Sequence, residues 1–177
     1  MPWAHFWKSA TQRRSDMALA VENPSETVQL RHHYNAPREQ VFRAWTDPEA
    51  LGQWFGPQSH TCKVEKLDVR EGGDYQLRLI PTDENEDSDC GGNASADSIC
   101  AGTFVSIQAP EKLVMTFGWI QNGADISDTL ISVRFVEADG GTDLVLTHER
   151  LPTEEMRQAH AGGWQSSLEC LETFLRI

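Results

Sequence analysis

The fold class this sequence predicts is α+β: a bent antiparallel sheet of about seven strands packed on one long C-terminal helix. Three observations predict it. Residues 58–149 read as short alternating segments separated by turn signals. The stretch Pro152 to Ile177 carries an apolar stripe at helical spacing, Trp164, Leu168, Leu171 and Leu175, widened by Cys170, Phe174 and Ile177. Between the first strand and the rest stand two short helix signals. A single amphipathic helix closing a strand-rich chain must bury its stripe on the sheet those strands form.

The elements follow in order. Residues 1–25 show no sustained period, only a small cluster of Trp3, Phe6 and Trp7 followed by Arg13 and Arg14. They are expected to be a flexible extension, with a partner-binding arm as the alternative; Met17 is an alternative start. The domain proper is expected over residues 26–177. In its first strand Val28, Leu30, His32 and Tyr34 share one face. Pro37 then suits the first turn of a helix carrying Val41, Phe42 and Trp45. Asp47 can cap a second helix with Pro48 at its first position, followed by Leu51, Trp54 and Phe55 and stopped by Gly56-Pro57.

The strands come next. His60, Cys62 and Val64 share a phase that Leu67 and Val69 do not, so a bulge is expected between Val64 and Leu67. Glu71-Gly72-Gly73-Asp74 is a turn, and Tyr75, Leu77 and Leu79 form the next inward row. Residues 81–97 form an acidic insertion within a hairpin. Thr103, Val105 and Ile107 share one face. Leu113, Met115, Phe117 and Trp119 form the most apolar alternating row, and Asn122-Gly123 marks a loop. Ile131, Val133 and Phe135, then Leu144, Leu146 and His148, complete an antiparallel meander. Thr153 with Glu154 and Glu155 starts the long helix, whose upstream half, Met156 to Gly163, has a thin apolar face. That half should cover something less filled than a core.

Composition narrows the function classes. The net charge of −12 argues against nucleic acid or an anionic membrane as partner, since both need a basic face. Half of that charge sits in one segment: Asp83, Glu84, Glu86, Asp87, Asp89 and Asp97 have no Lys or Arg among them. The spacing of a calcium loop is absent there. No secretory leader or membrane-length apolar run is present, so a cytoplasmic protein is expected. Cys62, Cys90, Cys100 and Cys170 lack paired metal spacing and are read as reduced thiols, although Cys90 and Cys100 bracket the insertion and would be the pair to close under oxidation.

Several spaced stretches also carry a resemblance. Ala36-Pro37, Val41-Phe42-Arg43-Ala44-Trp45-Thr46-Asp47-Pro48-Glu49, Leu51 and Trp54-Phe55-Gly56-Pro57 form the first of them. Glu71-Gly72-Gly73-Asp74-Tyr75, Leu146-Thr147-His148-Glu149 and His160-Ala161-Gly162-Gly163-Trp164 follow. Together they resemble the SRPBCC, or START-like, helix-grip superfamily, and within it proteins similar to the activator of the heat-shock-protein-90 ATPase. The resemblance spans about residues 26–177. It implies a helix-grip fold of order β-α-α-β6-α whose sheet and last helix enclose a cavity. It also implies three kinds of role, because one such fold hosts ligand carriers, enzymes and co-chaperones.

In such a fold the inward side chains line the cavity. Alternation assigns Tyr34, Tyr75, Met115, Phe117, Trp119 and His148 to it, facing Trp164 and Leu168, with Trp54 and Phe55 at one end as seal or gate. An aromatic lining with few polar groups suits a small hydrophobic or amphipathic molecule; the alternative is that these side chains simply fill the core. Gly162-Gly163 favours space, because two glycines inside a helix cost about 1 kcal/mol each relative to alanine. As an enzyme, the protein would use His148 or Tyr75 as acid or base. Glu149 is expected outward and so not paired with His148. His32, His60 and His148 come from separate strands, and no metal or cofactor is assigned to them. A chaperone is the partner that a stress-response role would imply, and exposed edge strands make a homodimer the expected assembly beyond the monomer.

Overall fold

The computed structural model describes residues 24–82, 97–120 and 129–176. The N-terminal aromatic cluster, most of the acidic insertion with Cys90, and Asn122-Gly123 lie outside the described residues. The elements run β1 (Val28–Tyr34), α1 (Arg38–Thr46), α2 (Pro48–Trp54), β2 (His60–Leu67), β3 (Asp74–Pro81), β4 (Ser98–Gln108), β5 (Lys112–Trp119), β6 (Thr129–Ala138), β7 (Gly141–Glu149) and α3 (Glu154–Leu175). All seven strands belong to one antiparallel sheet in the order β1-β7-β6-β5-β4-β3-β2, so β1 and β2 are its edges. This is the α+β helix-grip architecture, with α3 held against the sheet: Tyr34 Oη on β1 donates to the Leu168 carbonyl, 3.1 Å away.

Local chemistry explains the helix boundaries. Asp47 ends α1 and starts α2, because its carboxylate accepts from the Glu49 and Ala50 amides at 3.0 and 3.1 Å while Pro48 holds the first helical position. Pro37 precedes α1 by one residue rather than opening its first turn. Thr153 caps α3 by accepting from the Met156 amide at 3.2 Å. Thr153→Ala is therefore expected to cost about 1 kcal/mol, read from urea unfolding, with Thr153→Ser close to the parent. Equal stability of all three would remove the cap from the account.

The strand phases agree with the alternation except where bulges intervene. The register of β2 on β3 shifts between Val64 and Lys66, as the phase change requires; Val69 lies beyond the strand and is exposed. On β4 the expectation fails. A second shift, between Phe104 and Ser106, turns Phe104 inward at 2% exposure and leaves Val105 outward at 52%. One extra residue reverses the face, so Thr103, Val105 and Ile107 do not form a single row. Glu149 is also buried rather than outward. The chain before β1 closes on that end of the sheet, where the Leu151 amide donates to the Glu26 carbonyl at 2.9 Å.

The core joins Leu77, Leu113, Ile131, Val133, Phe135, Leu144 and Leu146 of the sheet to Leu168 and Leu171 of α3. Trp45 and Trp54 of the two short helices close one end, their rings 4.9 Å apart. Trp54 Nε1 donates to the Ala44 carbonyl at 2.8 Å, so this ring is a tied wall. No helix among the described residues is long and apolar enough to cross a membrane.

Candidate functional site

Helix α3 changes character along its length. Its C-terminal half presents Trp164, Leu168 and Leu171 to the core. Its N-terminal half offers Ala159, His160 and Gly163 to the space below, and there a cavity opens. Phe55, Gly56 and Pro57 after α2 bound it, with Leu79 of β3, Phe117 and Trp119 of β5, and Trp164 and Ser167 of α3. This half-open cavity measures about 40 Å³, or about 430 Å³ when all the empty space out to solvent is counted. Deeper in, between Trp45, Phe55, Tyr75, Met115, Phe117 and Trp164, only about 20 Å³ remains. The aromatic side chains therefore fill most of the interior, and the open space sits under the thin half of the helix.

The predicted site residues divide accordingly. Phe55, Phe117, Trp119 and Trp164 line the outer cavity; Met115 reaches the inner one, and Tyr75 reaches the inner one and an open groove beside Gly102 and Thr116. Trp54 borders a separate open groove with His60, Cys62 and Cys170. Tyr34, His148 and Leu168 are core residues and line none of these spaces. Among the described residues no group of three His, Cys, Asp or Glu side chains converges to hold a metal. His32 pairs with Glu172 at 3.1 Å, and His60 Nδ1 meets Ser59 Oγ at 2.9 Å. The thiols of Cys62, Cys100 and Cys170 are free, and burial raises that of Cys62 to about 12.

The two acid–base candidates have their hydrogen bonds assigned. Tyr75 Oη donates to the Thr116 carbonyl at 2.7 Å, and burial, with the nearby Cys100, pushes its phenol well above the usual range. His148, fully buried, is held at both ring nitrogens. Trp164 Nε1, which can only donate, gives its hydrogen to His148 Nδ1 at 3.1 Å. The imidazole therefore carries its proton on Nε2 and donates it to Thr129 Oγ1 at 2.8 Å, which in turn donates to the Phe117 carbonyl at 2.8 Å. Burial, then the adjacent His160, holds His148 well below the ordinary histidine range, so it is neutral. Its lone pair is already used.

His160, absent from the predicted site, is the residue with a lone pair to spare. Its ring stands edge-to-face to His148 with centroids 4.8 Å apart. Nδ1 lies 2.8 Å from the Met156 carbonyl, an acceptor, so Nδ1 carries the hydrogen and Nε2 is the bare acceptor. Nε2 is buried and has no protein partner. Burial lowers its affinity for a proton, partly opposed by the Met156 carbonyl. Trp45 Nε1, beside the inner cavity, is a second buried nitrogen without a protein partner. Buried polar atoms of this kind are few in folded proteins, and each calls for a cause.

Comparison with known proteins adds the following. Residues 35–176 match the profile of the family described as Activator of Hsp90 ATPase homolog 1-like protein. Among solved structures, the chain is similar to a Chromobacterium violaceum protein at 25% identity and a TM-score of 0.74, over 86% of this chain and 99% of that one. It is also similar to CalU16 from Micromonospora echinospora, at 26% identity and a TM-score of 0.58, over 84% of this chain and 75% of that one. An AHSA1-like protein from Aeromonas hydrophila shares the fold at 21% identity and a TM-score of 0.67, over 85% and 92% of the two chains. No curated protein matches.

Proposed function

Because the chain belongs to the family of Activator of Hsp90 ATPase homolog 1-like proteins, whose fold leaves the chemistry to its cavity, we propose that it binds a small, mostly apolar ligand in the cleft beneath the N-terminal half of α3. One observation carries this reading. Along the core row only about 20 Å³ is left unfilled, whereas a wider space opens where α3 presents Ala159 and Gly163, and there the wall is carbon on nearly every side. At about 40 Å³ this space is well below the roughly 150 Å³ of a cavity that takes benzene. A ring-sized ligand therefore lies in the outer cleft with its leading group inside, against Phe117 and Trp164.

A chaperone-binding surface has less to support it. The exposed large apolar side chains among the described residues are four, Val69, Val105, Ile120 and Val136, fewer than a docking patch of several hundred Å² would gather.

Filling the cleft tests the proposal. Ala159→Leu adds apolar volume at its wall on a residue that favours helix. The expected result is a melting temperature equal to or above the parent's, with loss of the upward shift that phenol, indole or naphthalene gives the parent. A parent protein that none of these probes stabilises, and that carries no bound small molecule in native mass spectrometry, would remove the reading.

A further inference from the structure

The cleft is not uniformly apolar, and its polar atoms are unequally committed. Trp164 spends its single N–H on His148 Nδ1, and Ser167 Oγ donates to the Gly163 carbonyl at 2.7 Å. His160 is different. Its N–H goes to the Met156 carbonyl of its own helix, which fixes the tautomer and leaves Nε2 as an acceptor with nothing donating to it. The ring cannot take the other tautomer without setting a bare nitrogen against the carbonyl oxygen. Its neighbour His148 offers no spare hydrogen, because its one N–H is held by Thr129. His160 Nε2 is therefore an acceptor without a donor, covered at the edge of this cavity, and the lining includes no Lys, Arg, Asp or Glu.

We propose that the ligand of this cleft is a neutral, largely apolar molecule carrying one hydrogen-bond donor, a phenolic or alcoholic O–H or an indole-type N–H, which it gives to Nε2 of His160. The inference rests on the binding role proposed above and adds the chemistry of the ligand to it. A carboxylate or phosphate is excluded by the same geometry. It would bring lone pairs against a lone pair, with no cation on the wall and little water to solvate it. A pure hydrocarbon would fit the carbon wall but leave the buried acceptor unpaired, which is the cost a donor removes. Nε2 is covered in the free protein, so the donor reaches it by displacing a wall side chain. His160 is then a binding residue, and it discriminates between ligands by one hydrogen.

Matched probes separate the hydrogen bond from the apolar contact. Titration calorimetry compares phenol with anisole and indole with 1-methylindole, each pair differing by a methyl group in place of the donated hydrogen. The expected result is binding about tenfold tighter for the donor of each pair, the scale of one buried hydrogen bond. In His160→Phe, which keeps a ring and removes the acceptor, the preference should vanish or reverse. Nitrogen-15 spectra of the parent should show His160 Nε2 unprotonated when free and shifted by indole but not by 1-methylindole. Equal binding within the pairs would overturn this inference and leave the apolar cleft standing. A hydrogen found on Nε2 of the free protein would overturn it whatever binds. Failure of all four probes to bind would overturn it together with the binding role.

Discussion

Gly102→Ala is expected to destabilise the fold by roughly 3 kcal/mol, an unusual effect for one methyl group. An alanine Cβ at this position would lie 1.9 Å from the Thr116 carbonyl oxygen and 2.9 Å from Cε1 of Tyr75. The first of these is backbone, and it cannot swing aside as a side chain does. Strands β4 and β5 would have to part where Thr116 already bonds twice, its Oγ1 accepting from the Thr103 amide at 2.9 Å and its carbonyl from Tyr75 Oη at 2.7 Å. Tyr75 thus lies across a glycine and fastens the sheet at a point where two residues of β4 run without regular pairing to β5. Its ring also lines the inner cavity, so the same substitution should disturb the aromatic packing around Phe104 and Met115. Gly72→Ala is the control. Gly72 has φ of +78° and nothing within 4 Å of a built Cβ, so alanine there meets only the backbone penalty, roughly 1 kcal/mol. Urea unfolding of both variants decides the matter. Equal losses would mean that the contact at Gly102 relaxes freely and that Tyr75 does not hold the sheet there.

This glycine also marks where the sequence stops being legible. Periodicity placed Tyr75, Leu77 and Leu79 inward, and likewise Leu113 to Trp119 and Leu144 to His148, because side chains on unbroken strands alternate without exception. It placed the shared boundary of α1 and α2 at Asp47-Pro48, because capping and proline geometry are local. The antiparallel meander of the later strands followed from tight turns, but the place of β1 beside β7 did not. What it missed depends on contacts across the chain. Phe104 was hidden because a bulge reversed the phase of β4, and nothing in the run Thr103 to Ile107 announces a bulge. Glu149 alternates outward on paper, yet it is buried. His160 was overlooked for a different reason. It sits on the thin face of α3, where a helical stripe gives no cue, and its interest arises from two distances: that to the Met156 carbonyl and that to the ring of His148. A buried acceptor without a donor has no signature in sequence. The nearest available sign was the sparse face itself, with Gly162 and Gly163, which did point to space beneath that half of the helix.

His148 should prove the most expensive side chain to lose, and the one that makes the protein sensitive to acid. His148→Ala removes a fully buried ring and leaves the Trp164 N–H without its acceptor. The sum of cavity and unpaired donor is expected near 4 kcal/mol. The proton balance gives a second and independent signature. Burial holds His148 below its unfolded value of about 6.5, because a charged ring would have to put a hydrogen on Nδ1, facing the Trp164 N–H. The unfolded chain therefore binds more protons than the folded one as pH falls through 6.5. Stability is fully present above that value and declines below it, by up to about 1.4 kcal/mol per pH unit for one proton. His160 and His60 are shifted the same way by their own burial and add to the slope. The carboxylates with lowered pKa, Asp47, Glu65, Asp74, Glu154 and Glu172, act only nearer pH 4, where they begin to take protons. The interval from 6.5 to about 4.5 thus belongs to these three histidines. His148→Gln, polar but without a titrating group, should be less damaging than alanine, and it should lose one proton's worth of slope across that interval. Urea unfolding at pH 7.5, 6.0 and 5.0 measures both effects. If the slope of His148→Gln matches that of the parent, His148 is not neutral in the folded protein. The hydrogen bond from Trp164 to His148 Nδ1 would then have to be broken, because a charged imidazole carries hydrogen on both nitrogens and the indole N–H can only donate.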